Sequence, residues 1–206
     1  MASSEASPPA GPLLVVISGP SGVGKDALLA KLHERGIPAH FTVTATTRPK
    51  REVRPEDHRY LSFLTSEEFD RLLSEDGLLE HANVYGYHYG VPKAQIADAL
   101  AEGRDVIVRV DVQGAATIKR IVRNAIAIFL APPSMEELEA RLRSRGLDDP
   151  DVIGKRLAAA AQEIARQGEF DHIIVNESGQ LDSAADNVID IMRQERSRPG
   201  RQPTTL

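Results

Sequence analysis

Leu13-Leu14-Val15-Val16-Ile17-Ser18 runs straight into Gly19-Pro20-Ser21-Gly22-Val23-Gly24-Lys25, and this junction decides the fold. Five consecutive apolar residues without alternation suit a strand buried on both faces, as in a parallel sheet. The seven residues that follow have the G-x-x-x-x-G-K spacing of a phosphate-binding loop. Glycines let successive backbone N–H groups turn toward one centre, and the helix that follows adds positive potential there. Lys25 is placed to reach the β- and γ-phosphates of a nucleoside triphosphate. The bland alternative is a Gly-rich turn with a solvated lysine. A strand before the loop and a helix after it argue against that alternative.

Outward from this junction, three more apolar runs recur, at 106–110, 125–130 and 172–175. Helical patterns fall between them, over about 25–35, 114–123, 134–145, 151–167 and 181–194. Ser134 followed by Glu137 has the spacing of a capping box and marks one helix start. Strands alternating with helices predict βαβ units with right-handed crossovers. Two stretches break the rhythm. Residues 40–91 hold short strand-like pieces (41–45, 78–85) around a helix near 66–74, which reads as an insertion on the rim of the sheet. Residues 144–152 are charged and turn-rich, the composition of a mobile cover.

Composition narrows the class. The 206 residues are 41% hydrophobic and carry a net charge of −5, which fits one globular α/β domain and excludes disorder of the bulk. No apolar stretch approaches the roughly 20 residues of a membrane span. With no cysteine, a disulfide framework, a thiolate metal site and a cysteine nucleophile are excluded. The acidic balance argues against a nucleic-acid binder. Residues 1–11 lack the basic and apolar regions of a secretion signal. They read as a disordered leader, and residues 195–206 as a disordered basic tail. A cytoplasmic enzyme with no nucleic-acid, membrane or obligate protein partner is the expectation.

Further groups carry chemistry. Asp26 stands where phosphate loops normally have Ser or Thr, whose hydroxyl meets Mg²⁺. Its carboxylate suits a hard cation, and it equally suits the first turn of a helix; both readings stay open. In Thr44-Ala45-Thr46-Thr47-Arg48-Pro49-Lys50-Arg51, the guanidiniums of Arg48 and Arg51 are spaced to fork onto one phosphate. The segment from Glu80 to Pro92 holds three of the four tyrosines, Tyr85, Tyr87 and Tyr89. These suit either a nucleotide pocket or a small aromatic core. Asp111 ends an apolar run, where open α/β sheets bind ligands, and it also fits an N-cap. Arg141, Arg143, Arg145 and Arg156 flank the charged cover, where arginines can surround a transferring phosphoryl group.

Taken together and in this order, GPSGVGK, TATTRPKR, the 80–92 segment, DVQGA, the arginine pattern and Val175-Asn176 closely resemble guanylate kinase over residues 13–194. The resemblance implies a P-loop core (12–39, 92–140, 157–194) with a five-stranded parallel sheet flanked by helices. It also implies a nucleotide-monophosphate-binding insertion (40–91) and a lid (141–156). The implied reaction is MgATP + GMP giving ADP + GDP. By resemblance, Gly19, Pro20, Ser21, Gly22, Val23, Gly24, Lys25 and Asp26 hold ATP, with Asn176 near the adenine and Mg²⁺ as the metal. Arg48, Arg51, Tyr60 and Tyr89 would hold the GMP phosphate, and Thr44, Glu80 and Asp111 would face guanine. Lys25, Arg48, Arg141, Arg145 and Arg156 would be catalytic. The chemistry agrees for the base: guanine's N1–H and amine are donors that a carboxylate accepts, whereas adenine presents an acceptor at N1.

Three departures from the family pattern stand out: Asp26, Val91 where a hydroxyl is usual, and an altered segment between Arg51 and Phe63. Asp26 also fits ribose 1,5-bisphosphate phosphokinase, a relative with a similar G-K-D loop. Against it, Glu80 and Asp111 would have no base to read. A guanylate-kinase-like binding module without chemistry is the remaining alternative, and the intact loop opposes it.

Overall fold

The computed structural model describes residues 11–50, 59–84, 86–144 and 149–206. Arg51, Tyr85, Arg145 and the leader up to residue 10 lie outside the described residues. The apolar run at the chain start becomes β1 (Leu14–Ser18), with all five residues buried. It is central because two parallel strands flank it, β7 (Asp105–Arg109) and β8 (Ile126–Ala131). β2 (Ala39–Phe41) and β9 (His172–Val175) complete a five-stranded parallel sheet in the order β2-β7-β1-β8-β9.

The alternation of β1 feeds two layers. Val15 and Ile17 point into a core with Leu28, Leu29 and Leu32 of α1 (Lys25–Glu34) and with Val188 and Met192 of α7 (Leu181–Arg196). Leu14 and Val16 point the other way. They meet Ile96 and Ala99 of α3 (Lys93–Ala101), and Ala115 and Ile118 of α4 (Val112–Ile121). A strand buried on both faces therefore shows as an unbroken apolar run. α5 (Met135–Ser144) and α6 (Pro150–Ala165) join the first core through Leu138, Leu142, Ile153 and Ala160, which surround Val23 of the loop.

A second sheet of four strands sits beside the first. β3 (Thr44–Thr46) lies between β4 (Leu61–Phe63) and β6 (Tyr87–Pro92), and β5 (Leu78–Val84) lies outside β6. α2 (Ser66–Ser74) covers one face, burying Phe69 against Ala45 and Leu78. It opens with a complete capping box between Thr65 and Glu68. At the box expected from Ser134, only half forms: the Ser134 hydroxyl accepts from Glu137 N. The Glu137 carboxylate turns instead to Arg141 and Ser178.

The expected strand at 41–45 is in fact two. Ala39–Phe41 pairs with β7 in the main sheet, so the insertion begins after Phe41 and not at residue 40. Gln95 holds the crossing between the two sheets. Its Oε1 accepts from Val43 N at 2.8 Å and its Nε2 donates to Val43 O at 2.8 Å. α3 itself was missed, because its first turn follows a strand with no polar cap; Pro92 stands at the N-cap position.

The tail expected to be disordered is instead tied down. α7 continues to Arg196, and the Arg201 guanidinium donates to the carbonyls of Gly11 and Pro12 and to the Thr204 hydroxyl. Thr205 bridges to Arg123, and Thr204 is buried. The partners that order this segment are carbonyls more than a hundred residues away, which its Pro-rich composition does not reveal.

Asp105 closes the same end of the sheet. It is buried, accepts from Leu13 N at 2.8 Å, and takes the guanidinium of Arg196. Asp105→Ala leaves a buried N–H and a cation without their acceptor, at a cost of about 2–3 kcal/mol. For a chain of this size, the expected result is a melting temperature lower by roughly 5–10 °C, read by calorimetry. A shift below 2 °C would show that the clasp contributes little.

Candidate active site

Backbone geometry builds the loop. Gly19, Gly22 and Gly24 have φ of 139°, 90° and 107°, which side-chain-bearing residues rarely adopt. Space is as restrictive as torsion: a Cβ on Gly19 would lie 2.2 Å from Leu130 O, and one on Gly24 would lie 2.6 Å from Asn176 Nδ2. The loop is thus pressed against β8 on one side and Asn176 on the other. Lys25 Nζ curls back to donate to Gly19 O at 2.5 Å and Pro20 O at 3.0 Å. Burial holds its ammonium below the ordinary lysine range, while Glu163 and then Asp26 draw it back up.

Asn176 and Arg141 act on this loop from behind. Asn176 Nδ2 donates to Val23 O at 2.7 Å. Arg141 donates to the same carbonyl, to Asn176 O and to the Ser178 hydroxyl, and its Nε meets Glu137. Its donors are therefore engaged in bracing the loop, and Arg141 is not turned toward the phosphate centre as the sequence reading expected. Arg156, on α6, is half-buried. Two turns further along that helix, Glu163 lies within electrostatic reach of Lys25 and accepts from the Ser21 backbone. Burial raises its carboxyl above the ordinary range, and Lys25 opposes that rise. Sequence reasoning missed Glu163; its one signal is the seven-residue spacing that shares a helix face with Arg156.

The insertion presents its groups on one face by register. Tyr89 pairs across from Thr46 on one side and Ala82 on the other, and Glu80 pairs with Val91. Period-2 alternation puts Thr44, Thr46, Tyr89, Ala82 and Glu80 together. The Thr44 Oγ1 and the Arg48 Nε are buried and have no hydrogen-bond partner among the described residues. Buried polar groups are normally satisfied, so two orphans on one face mark where a polar ligand belongs. A register shift between Leu78 and Glu80 makes this possible. The extra residue sends Leu78 into the small core and Leu79 into the main one, and so turns Glu80 to the site.

Glu80 then meets the end of β7. Asp111 caps α4, accepting from Gly114 N at 2.7 Å. Gly114 has no side chain to obstruct Glu80: a Cβ there would lie 2.7 Å from Glu80 Oε2. Burial, with the Asp111 charge adding to it, pushes the Glu80 carboxyl up to about 8. Two acids from separate sheets thus face one crevice at the C-terminal ends of the strands, where open sheets bind ligands.

Tyr60 is placed elsewhere. Its ring packs in the main core at 5.9 Å from Phe41, and its hydroxyl donates to Leu29 O at 3.3 Å. The hydroxyl expected on phosphate is thus turned to the α1 backbone, and the ring serves the core. Asp26 is also committed, to Arg109 at 2.5 Å. Arg109, the last residue of β7, was not singled out from the sequence.

A parallel sheet with a glycine loop after its central strand, and a polar-faced insertion opposite, is the architecture of a P-loop NTPase fold. The comparisons with known proteins agree. A family model described as guanylate kinase matches residues 12–195. The chain is 43% identical over 200 residues to guanylate kinase 2, chloroplastic/mitochondrial, of Oryza sativa subsp. japonica, covering 97% of this chain and 70% of that protein. It is 46% identical to a guanylate kinase of Gloeobacter violaceus, over 84% of this chain and 85% of that one. The crystal structure of guanylate kinase from Anaplasma phagocytophilum superposes with a TM-score of 0.74 at 34% identity, covering 94% and 90% of the two chains. The chain belongs to the guanylate kinase family.

Two outcomes follow from the Glu80–Gly114–Asp111 arrangement. Gly114→Ala displaces the Glu80 carboxylate, so the KM for GMP rises by roughly tenfold or more while the KM for ATP holds; equal changes in both would refute the spacer role. The second outcome concerns pH. An acid whose folded pKa lies above its unfolded value gives stability that is complete below about pH 4.5 and lost as pH rises through about 8. Glu80→Gln removes that dependence. It should therefore gain on the wild type by up to ~1.4 kcal/mol per pH unit across the window. Parallel melting curves at pH 5 and pH 8 read this, and a constant difference would overturn it.

Proposed function

We propose that this chain, an ATP:GMP phosphotransferase, divides the work of the reaction between its two sheets. The residues of 19–25 hold the triphosphate of ATP, with backbone N–H groups and Lys25 as the donors. Arg48, Tyr89 and Arg51 take the phosphate of GMP, and Thr44, Glu80 and Asp111 read guanine. Arg145 and Arg156 close over the transferring group, while Arg141 and Asn176 keep the loop in shape. The observation that carries this reading is the acid pair, buried Glu80 and half-buried Asp111, brought to one crevice at the end of the main sheet.

An oxygen of the GMP phosphate forms the new bond to the γ-phosphorus, and the bond to the β,γ-bridging oxygen breaks, leaving ADP with the electron pair. Little covalent help is needed from the protein; positioning and positive charge supply the rate. Lys25 can supply this charge once it leaves the carbonyls of Gly19 and Pro20 for phosphate oxygens. Glu80 must give up its proton to accept from both N1–H and the exocyclic amine, so GMP binding strengthens as pH approaches 8.

The metal enters as part of the substrate, MgATP. Asp26 has one oxygen on Arg109, and among the described residues no group of three acids or histidines could hold an ion. Magnesium is commonly held by phosphates and water with little help from protein. Among the described residues no helix is long and apolar enough to cross a membrane. We place the reaction in the cytoplasm, where both nucleotides are at hand.

The test is ADP release from MgATP with GMP, dGMP, AMP, UMP or ribose 1,5-bisphosphate as acceptor. Turnover with guanine nucleotides, lost by at least ~100-fold in Lys25→Ala with its melting curve intact, is the expected result. Turnover only with the sugar bisphosphate would refute the base-reading role of Glu80 and Asp111.

A further inference from the structure

Asp26 occupies the second residue of α1, directly after Lys25. This is the slot from which phosphate loops usually offer a hydroxyl to the metal. A carboxylate there brings negative charge next to a triphosphate, which is unfavourable unless something neutralises it. The structure provides a neutralising group from the protein. Arg109 Nη1 lies 2.5 Å from Asp26 Oδ1, reaching across from the end of β7, 83 residues away in sequence. Arg109 is itself well buried, with its side chain 15% exposed against 46% for Asp26. Its Nε is enclosed and has no hydrogen-bond partner among the described residues.

The position of this pair matters. Arg109 stands next to Ile17 in the strand register, one residue before the loop-side end of β1, and two residues before Asp111. It acts electrostatically on Lys25 on one side and on Tyr60 on the other. The pair thus stands between the phosphate loop and the insertion. A buried guanidinium with a spare donor, fixed at one nitrogen by a carboxylate, is a preorganised cation of the kind that stabilises phosphoryl transfer.

We propose that Asp26 is the anchor of Arg109 and not a ligand of magnesium, and that the anchored Arg109 is a further phosphate-binding residue of this site. A metal ion at Asp26 would have to displace Arg109 or sit against it, like charge to like. The pair replaces the hydroxyl of other phosphate loops with a fixed positive charge whose partner acid is part of α1. Arg109 contacts phosphate directly, and Asp26 acts through Arg109 as a positioning residue.

The experiment is a double-mutant cycle of Asp26→Asn and Arg109→Gln, with Arg109→Lys beside it. Each variant is checked by its melting curve. Two measurements are made: ATP binding by calorimetry in EDTA, and turnover of GMP against a magnesium titration at fixed ATP. Arg109→Gln should weaken metal-free ATP binding by about tenfold and lower kcat by about a hundredfold, and Arg109→Lys should recover part of both. Asp26→Asn should lower kcat without changing the magnesium concentration that gives half the maximal rate. The double variant should be no slower than Arg109→Gln alone, because both changes remove one interaction.

Unchanged metal-free ATP binding in both Arg109 variants overturns the phosphate contact. A raised magnesium requirement in Asp26→Asn, with losses that add in the double variant, overturns the anchor and makes Asp26 a metal ligand. The calorimetric arm needs no turnover, so it reads Arg109 even if the acceptor residues assigned above prove wrong. Arg109→Lys keeps the test open if Arg109→Gln fails to fold.

Discussion

A lysine ammonium has to be kept beside an anion-binding loop when no anion is there, and the rest of the site is arranged around that constraint. Lys25 is buried at the start of α1, where the loop N–H groups and the helix dipole already concentrate positive potential. Two loop carbonyls, Gly19 O and Pro20 O, accept its hydrogen bonds. Acids from three separate elements stand within reach: Glu163 on α6, Asp26 on α1 and Asp111 at the end of β7. The loop can hold this shape because Val23 O is itself clasped by Asn176 and Arg141, while glycine lets Gly19 approach Leu130 O. Packing, capping and charge balance are therefore one problem here, and each solves part of the others.

Glu80 presents the reverse problem, a buried carboxyl beside a second acid, Asp111. Glu80 is most at ease protonated, since burial and then the Asp111 charge disfavour its anion. Guanine supplies two donors that an ionised carboxylate can accept. A site shaped for that base is consequently less stable empty than a site of neutral side chains would be. That is the usual cost of a preorganised binding group. The register shift before Glu80 and the bare Cα of Gly114 show that the backbone is built to bring the acid in.

What was legible in the sequence was what is local. The loop, its flanking strand and helix, Asp111 at a strand end and the α/β alternation all depend on neighbours within a few residues, where spacing alone carries the meaning. What was not legible depends on register and on distant pairing. Arg109 meets Asp26 only because β1 and β7 lie side by side. Glu163 reaches the loop only because α6 lies over it. Tyr60 carried the right chemistry for a phosphate, but the main core and Leu29 O claim it. Arg141 was read as reaching inward on the strength of its charge, and its donors face carbonyls behind the loop. The tail was misread for the same reason, since only the fold brings Gly11 and Pro12 to Arg201.

The join between the two sheets explains how the two halves of the site keep their distance. Gln95 bridges both polar atoms of Val43, at the point where the chain leaves the main sheet for the small one. Leu79 and Val91 enter the core formed by Val16, Val106 and Val108, so the strands carrying Glu80 and Tyr89 are pinned to the main sheet at their roots. Only those roots are fixed. Beyond them the small sheet has its own core of Ala45, Phe69 and Leu78 under α2. Glu80 therefore sits at the anchored end of the insertion, and Arg48 and Tyr89 sit further out. Discrimination between bases needs fixed geometry, whereas a phosphate can be followed by long side chains. The division of the fold matches the division of tasks proposed for Glu80 and for Arg48 and Tyr89.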